Sequence, residues 1–159
     1  MDELFHVSVR EQLGAAEATA EGVVVRVLDL AGQFFVTGGS TLAPNTRVGT
    51  KPYSLWLAPD RTLIVYDADR DTPEGRFVSD VTDGLAVFDI LGPRAGEIVA
   101  ASCTVPHDAV TLGRCAQTLF GGVKVLLYAH GDGFRLHAER QFAAFLLEWL
   151  AQAVAALKE

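Results

Sequence analysis

The residues of this chain that could do chemistry are few. Four histidines (His6, His107, His130 and His137) and two cysteines (Cys103 and Cys115) are present. Only His107 sits near other metal-ligand types, in the order Cys103, His107, Asp108, Cys115. Structural zinc is held by paired ligands such as C-x-x-C, and catalytic zinc by closely spaced histidines. Neither spacing occurs, so no metal is expected. A thiol nucleophile at Cys103 or Cys115 would need His107 as its base, because a thiol becomes reactive only beside a base or a positive field. Nearness in sequence sets no such geometry, and both cysteines are expected to be buried thiols that pack as small apolar residues.

The remaining candidates are weaker. Glycines pair at Gly38-Gly39 and Gly121-Gly122 and flank Asp132 at Gly131 and Gly133, but no G-x-G-x-x-G or G-x-x-x-x-G-K-[ST] is present. Nucleotide phosphate therefore lacks its usual backbone cradle, and these glycines read as turns. The carboxylates Asp67 and Asp69, or Asp80 and Asp83, lie in polar surroundings and are expected to be solvated. Acid–base work would require burial and a raised pKa. Trp56, Trp149 and the phenylalanines fall at strand and helix periods and read as core. No catalytic, cofactor-binding or metal-binding residue is assigned.

Positioning elements follow from periodicity and turn chemistry. Residues 1–20 form an N-terminal arm with a short helix within 9–20, and residues 21–159 form one domain. The Val-rich run after Gly22 is expected to pair as a hairpin with QFFVTG across the LAG turn. Residues 38–52, dense in Gly, Ser, Pro, Asn and Thr, form a surface or interface loop. A second hairpin turns at Ala58-Pro59-Asp60-Arg61. Residues 67–76 are charged and form a solvated connection. LAVFDIL at 85–91 is a buried strand ended by Gly92-Pro93, with Pro93 at the first helical position of a helix to about 101. Strands at 116–120, 123–129 and 134–139 follow, joined at Gly121-Gly122 and at Gly131-Asp132-Gly133. The closing helix, 140–157, aligns Phe142, Phe145, Leu146, Trp149, Ala153 and Leu157 as an apolar stripe. The fold class is α+β: a mostly antiparallel sheet carrying a mid-chain helix and a long C-terminal helix packed on it.

Composition narrows the partners. The chain has 159 residues and a formal net charge of −7, with a pI near 5.0. That balance opposes attraction to nucleic acid or anionic lipid. The N-terminus carries acids where a secretory signal carries bases, and the most apolar segment, 142–157, is shorter than the ~20 residues that cross a bilayer. A cytoplasmic chain is expected. Half of its residues are hydrophobic and a further 15 are glycine, above the ~45–50% apolar share of ordinary domains. Such a surplus favours a surface that another chain covers.

Four blocks carry a resemblance: SLWLAPDRTLIV at 54–65, VTDGLAVFDILGPRA at 81–95 with Cys103 after the helix, GRCAQTL at 113–119, and FRLHAERQFAAFLLEWL at 134–150. In this order they resemble the gamma subunit of heterotetrameric sarcosine oxidase. The Gly-Pro-Arg-Ala turn and GDGFRL are similar to the related folate-binding aminomethyltransferases, part of whose fold the chain is expected to share. The family places Ser where this chain has Gln141, so a side-chain N-cap is lost there, and the loop before SLWLAP is shorter. The resemblance implies a non-catalytic small subunit that serves assembly of a flavoprotein of sarcosine catabolism and one-carbon metabolism. Larger alpha and beta subunits would hold FAD, FMN, NAD and tetrahydrofolate and oxidatively demethylate sarcosine or another N-methyl amine. Rival readings are a free-standing folate-binding or one-carbon-transfer protein and a homo-oligomeric scaffold.

Overall fold

Ser8 caps the first helix: its hydroxyl accepts from the Glu11 N–H, and the Glu11 carboxylate accepts from the Ser8 N–H. This reciprocal pair satisfies two free amides at once. The helix it starts, α1 (Val9–Gln12), is a single turn. In the computed structural model, which describes residues 7–14 and 16–157 and leaves the side chains of His107 and Asp108 aside, the chain then runs through eleven strands and two further helices. In order these are β1 (Glu17–Ala20), β2 (Val23–Leu28), β3 (Gly32–Thr37), β4 (Arg47–Gly49), β5 (Tyr53–Ala58), β6 (Arg61–Tyr66), β7 (Phe77–Asp80), β8 (Leu85–Leu91), α2 (Ala95–Ser102), β9 (Cys115–Phe120), β10 (Val123–His130), β11 (Gly133–Glu139) and α3 (Ala143–Leu157). His6 lies outside the described residues.

The strands form two sheets, in the orders β1-β2-β8-β11-β10-β9 and β4-β5-β6-β3-β7. Every pairing is antiparallel. The fold is thus α+β with antiparallel sheets and a long C-terminal helix. Three expected hairpins form: β5–β6, β9–β10 and β10–β11. The expected β2–β3 hairpin does not. β2 pairs with β1 and β8 in the first sheet, whereas β3 pairs with β6 and β7 in the second. Leu28 and Gly32 therefore bracket a crossing between layers. The helix expected within 9–20 also shortens, because Glu17–Ala20 joins β2 as an edge strand. Pro93 precedes the cap residue Arg94 rather than opening α2.

Helices cover one face of the first sheet. Alternation puts Phe88, Leu127 and Leu136 on that face, packed with Ile98 of α2 and Leu146 and Leu150 of α3, all fully buried. Each such side chain contributes about 1.5–3 kcal/mol by leaving water. α3 is entered through a tight turn at Arg140–Phe142, and its buried line is Ala143, Leu146, Leu150 and Val154. Phe142 and Phe145, expected in the core stripe, face outward. The second sheet covers the other face of the first: Tyr53, Leu55, Leu63 and Val65 pack on Cys115, Leu126 and Tyr128. The connection at 67–76 is solvated as its charge suggests, exposed at every residue but Pro73, and Arg70 lies over the Phe34 ring at 4.9 Å on the outer face of the second sheet.

Candidate functional site

Where the two sheets meet, the interface is polar at its centre. Strand alternation turns Asp89 of β8, Tyr128 of β10, and Arg135 and His137 of β11 toward the second sheet, and each is at most 6% exposed. The second sheet answers with Gln33 of β3 and Tyr53 of β5, both 1% exposed. Arg135 grips Asp89 in a fork, Nε to Oδ1 at 2.7 Å and Nη2 to Oδ2 at 3.0 Å. Its Nη1 reaches Asp67 at 2.6 Å and the Tyr53 hydroxyl at 3.0 Å.

Donors and acceptors in this network run one way. Gln33 Nε2 donates to the carbonyls of Thr82 and Leu85 at 3.2 and 3.3 Å. Its Oε1 therefore faces His137 Nδ1, 2.6 Å away, and accepts from it. A neutral imidazole carrying its proton on Nδ1 accepts at Nε2, so Tyr128 donates there at 2.6 Å. Tyr128 in turn accepts from the Tyr53 hydroxyl at 2.6 Å, which itself accepts from Arg135. Among the described residues no buried side-chain nitrogen or oxygen lacks a partner.

Electrostatics agree with that order. Burial pushes the His137 pKa well below its ordinary value, and the nearby Arg135, His130 and Arg47 charges act the same way. Burial raises Tyr128 well above the usual phenol, reinforced by Tyr53, and it raises Tyr53 against the opposing effect of Arg135. Burial opposes charge on Arg135, but the hydrogen bonds and charge of Asp89 outweigh it, so the guanidinium stays protonated. At the network's margin Arg47 stacks 3.9 Å above the Tyr53 ring and donates to the Ala129 carbonyl at 3.0 Å.

Both ring nitrogens of His137 are thus engaged, and the network is a packing device rather than a free acid or base. Of its members the sequence offers only His137, as one of four histidines, and Asp67, as a carboxylate, and it gives neither a partner. One signal was available: the alternation in FRLHAE places Arg135 and His137 on one face of a strand whose other face, Phe134 and Leu136, is apolar.

The residues that were singled out are scattered. Cys115 faces the second sheet, its thiol directed at the Thr46 and Trp56 carbonyls at 3.5 and 3.7 Å, and burial pushes it up to about 11. Cys103 caps the end of α2 on the helix side, its thiol 3.4 Å from the Val99 carbonyl. The first sheet lies between the two free thiols. His107 falls in a short turn, His107–Val110, but its side chain and that of Asp108 lie outside the described residues. Among the described residues no cluster of three or more His, Cys, Asp or Glu could hold a metal ion. Asp67, expected to be solvated, keeps 40% of its side chain exposed while it pairs with Arg135. Partial burial would raise the Asp80 carboxyl, but hydrogen bonds from Thr82 and Arg70 outweigh it and hold it below the usual range, the wrong direction for a general acid. Trp149 donates to the Ser102 hydroxyl at 3.0 Å.

Beside the network the sheets splay into an open groove of about 630 Å³. Phe35, Leu57, Leu63 and Leu126 line it, with His137 on its floor and Arg61 and Lys124 at its mouth. Gln117 bridges the sheets there, donating to the Leu57 carbonyl at 2.6 Å. A volume of this order suits a small ligand or a few side chains of another chain.

Among solved structures, the chain is similar to one chain of a heterotetrameric sarcosine oxidase from Corynebacterium sp. U-96 in complex with pyrrole 2-carboxylate, with a TM-score of 0.80 and 21% sequence identity. The likeness covers 98% of this chain and 97% of that one. No family model and no curated protein matches the sequence. No helix among the described residues is long and apolar enough to cross a membrane.

Proposed function

We propose that this chain is a non-catalytic small subunit of a sarcosine oxidase-type heteromeric flavoprotein. The observation that carries the reading is the end-to-end likeness to one chain of such a complex, which leaves almost nothing of either chain unmatched. Two features support a structural role. The buried titratable groups hold the sheets together, and large apolar side chains, Leu119 at 60% and Phe145 at 48% exposure, stay in water. On this reading larger alpha and beta chains hold FAD, FMN, NAD and tetrahydrofolate. They oxidatively demethylate sarcosine or another N-methyl amine in the cytoplasm, and this chain serves their assembly.

Co-expression with the large chains of a sarcosine oxidase-type complex from the same source tests the reading. We expect one species on a sizing column, and loss of amine oxidation or of assembly when this chain is left out. A chain that stays separate while its neighbours assemble and turn over normally refutes the proposal.

A further inference from the structure

We infer that the face formed by the free edge of β9, the inter-sheet groove and the start of α3 docks an extended segment of a partner chain, apolar and carrying an acidic side chain; the inference rests on the subunit reading above. The backbone of β9 supplies the first argument. The Cys115 N–H donates away from β10 to the Asn45 carbonyl at 3.0 Å, and the Gly121 N–H donates to the Ser102 carbonyl at 2.9 Å. Alternate residues of an antiparallel strand face alternate neighbours, so Gln117 and Leu119 turn their N–H and C=O groups to the same free side. Among the described residues nothing pairs with them there. The edge is closed at both ends and open over this interval, the arrangement that accepts an added strand.

Side chains supply the second. Leu119, two residues from the groove-lining Gln117, stands on the same side of β9. Phe142 lines the groove, and Phe145, three residues on, stacks with Trp149. Apolar surface therefore continues beyond the groove onto Leu119 and Phe145. A small molecule filling the groove would leave Leu119 and Phe145 in water, whereas a chain segment covers all of it.

Charge supplies the third. Arg61 and Lys124 at the mouth form no ion pair among the described residues, in a chain of net charge −7. The Arg61 guanidinium lies 5.0 Å over the Phe35 ring, and the neighbouring Glu139 already accepts from Gln141 at 2.9 Å. An acidic side chain on the incoming segment completes this mouth.

The test uses the co-expressed complex and hydrogen exchange resolved at single amides. The Gln117 and Leu119 amides should exchange fast in the isolated chain and slowly in the complex, while Thr118, which faces β10, is slow in both. Leu119→Asp, and the pair Arg61→Glu with Lys124→Glu, should weaken association about tenfold or more with thermal midpoints unchanged. Phe77→Ser, at another exposed apolar site (63%) on β7, should have no effect. If the complex forms but these variants bind as well as the parent and the two amides stay fast, the docking surface is wrong and the subunit reading stands. If no complex forms, both fall. Protection already present in the isolated chain and growing with its concentration assigns the face to a second copy and overturns the proposal.

Discussion

His137 shows how burial and hydrogen bonding set a protonation state together. Its imidazole is fully enclosed, gives its one proton to Gln33 and receives one from Tyr128. Charging it would break the Tyr128 bond and place a cation near Arg135. The consequence is a pH dependence of known sign. Below about pH 6.5 the unfolded chain binds a proton at this histidine, and the folded chain does not. The contribution is therefore complete above that pH and is lost as the pH falls toward the depressed folded-state value, at up to about 1.4 kcal/mol per pH unit. His130, also lowered by burial, adds in the same direction. Urea unfolding should give a flat stability above about pH 7 and a decline from there to pH 5, shallower in His137→Gln. A level profile over that window, or an identical slope in the variant, removes the neutral imidazole from the account.

At the scale of elements, the β9–β10 hairpin is fixed by its turn. Gly121 and Gly122 have φ of +58° and +88°, the signature of a two-residue turn that suits twisted strands. A Cβ on Gly121 would also stand 2.8 Å from the Trp149 ring, whereas one on Gly122 would meet nothing. Gly122→Ala should cost only the left-handed backbone, about 1–2 kcal/mol. Gly121→Ala should cost more by about 1 kcal/mol or above, because the ring must yield and its bond to Ser102 loosens. Equal losses by urea titration would show that the ring gives way freely. This hairpin was readable in the sequence because its turn chemistry is local, as were β5–β6 and β10–β11. The run after Gly22 was not, since Val24 pairs with Leu91 and the partner choice is made 67 positions away. The polar network stayed hidden for the same reason. FRLHAE shows which side Arg135 and His137 share, but the roof over that side comes from residues 33 to 67, which read locally as hairpins of their own.

At the scale of the molecule, the network decides whether the two sheets behave as one body. A wholly apolar interface would bind the sheets at least as strongly, since buried ion pairs rarely add net stability. Arg135 instead fixes their relative placement, joining Asp89 in the first sheet to Tyr53 of the second and to Asp67 just past the end of β6. The two tryptophans make this measurable: Trp56 lies in the second sheet and Trp149 in the helix layer on the far side of the first. Trp56→Phe leaves fluorescence from the helix layer alone, and Trp149→Phe leaves it from the second sheet alone. In both single-tryptophan proteins the urea transitions should coincide. Adding Arg135→Met strands the Asp89 carboxylate in the interior and should lower both transitions together, by about 3–5 kcal/mol. A second sheet that melts first while the Trp149 signal holds would show two independent layers, with the Arg135 network a local ornament of one of them.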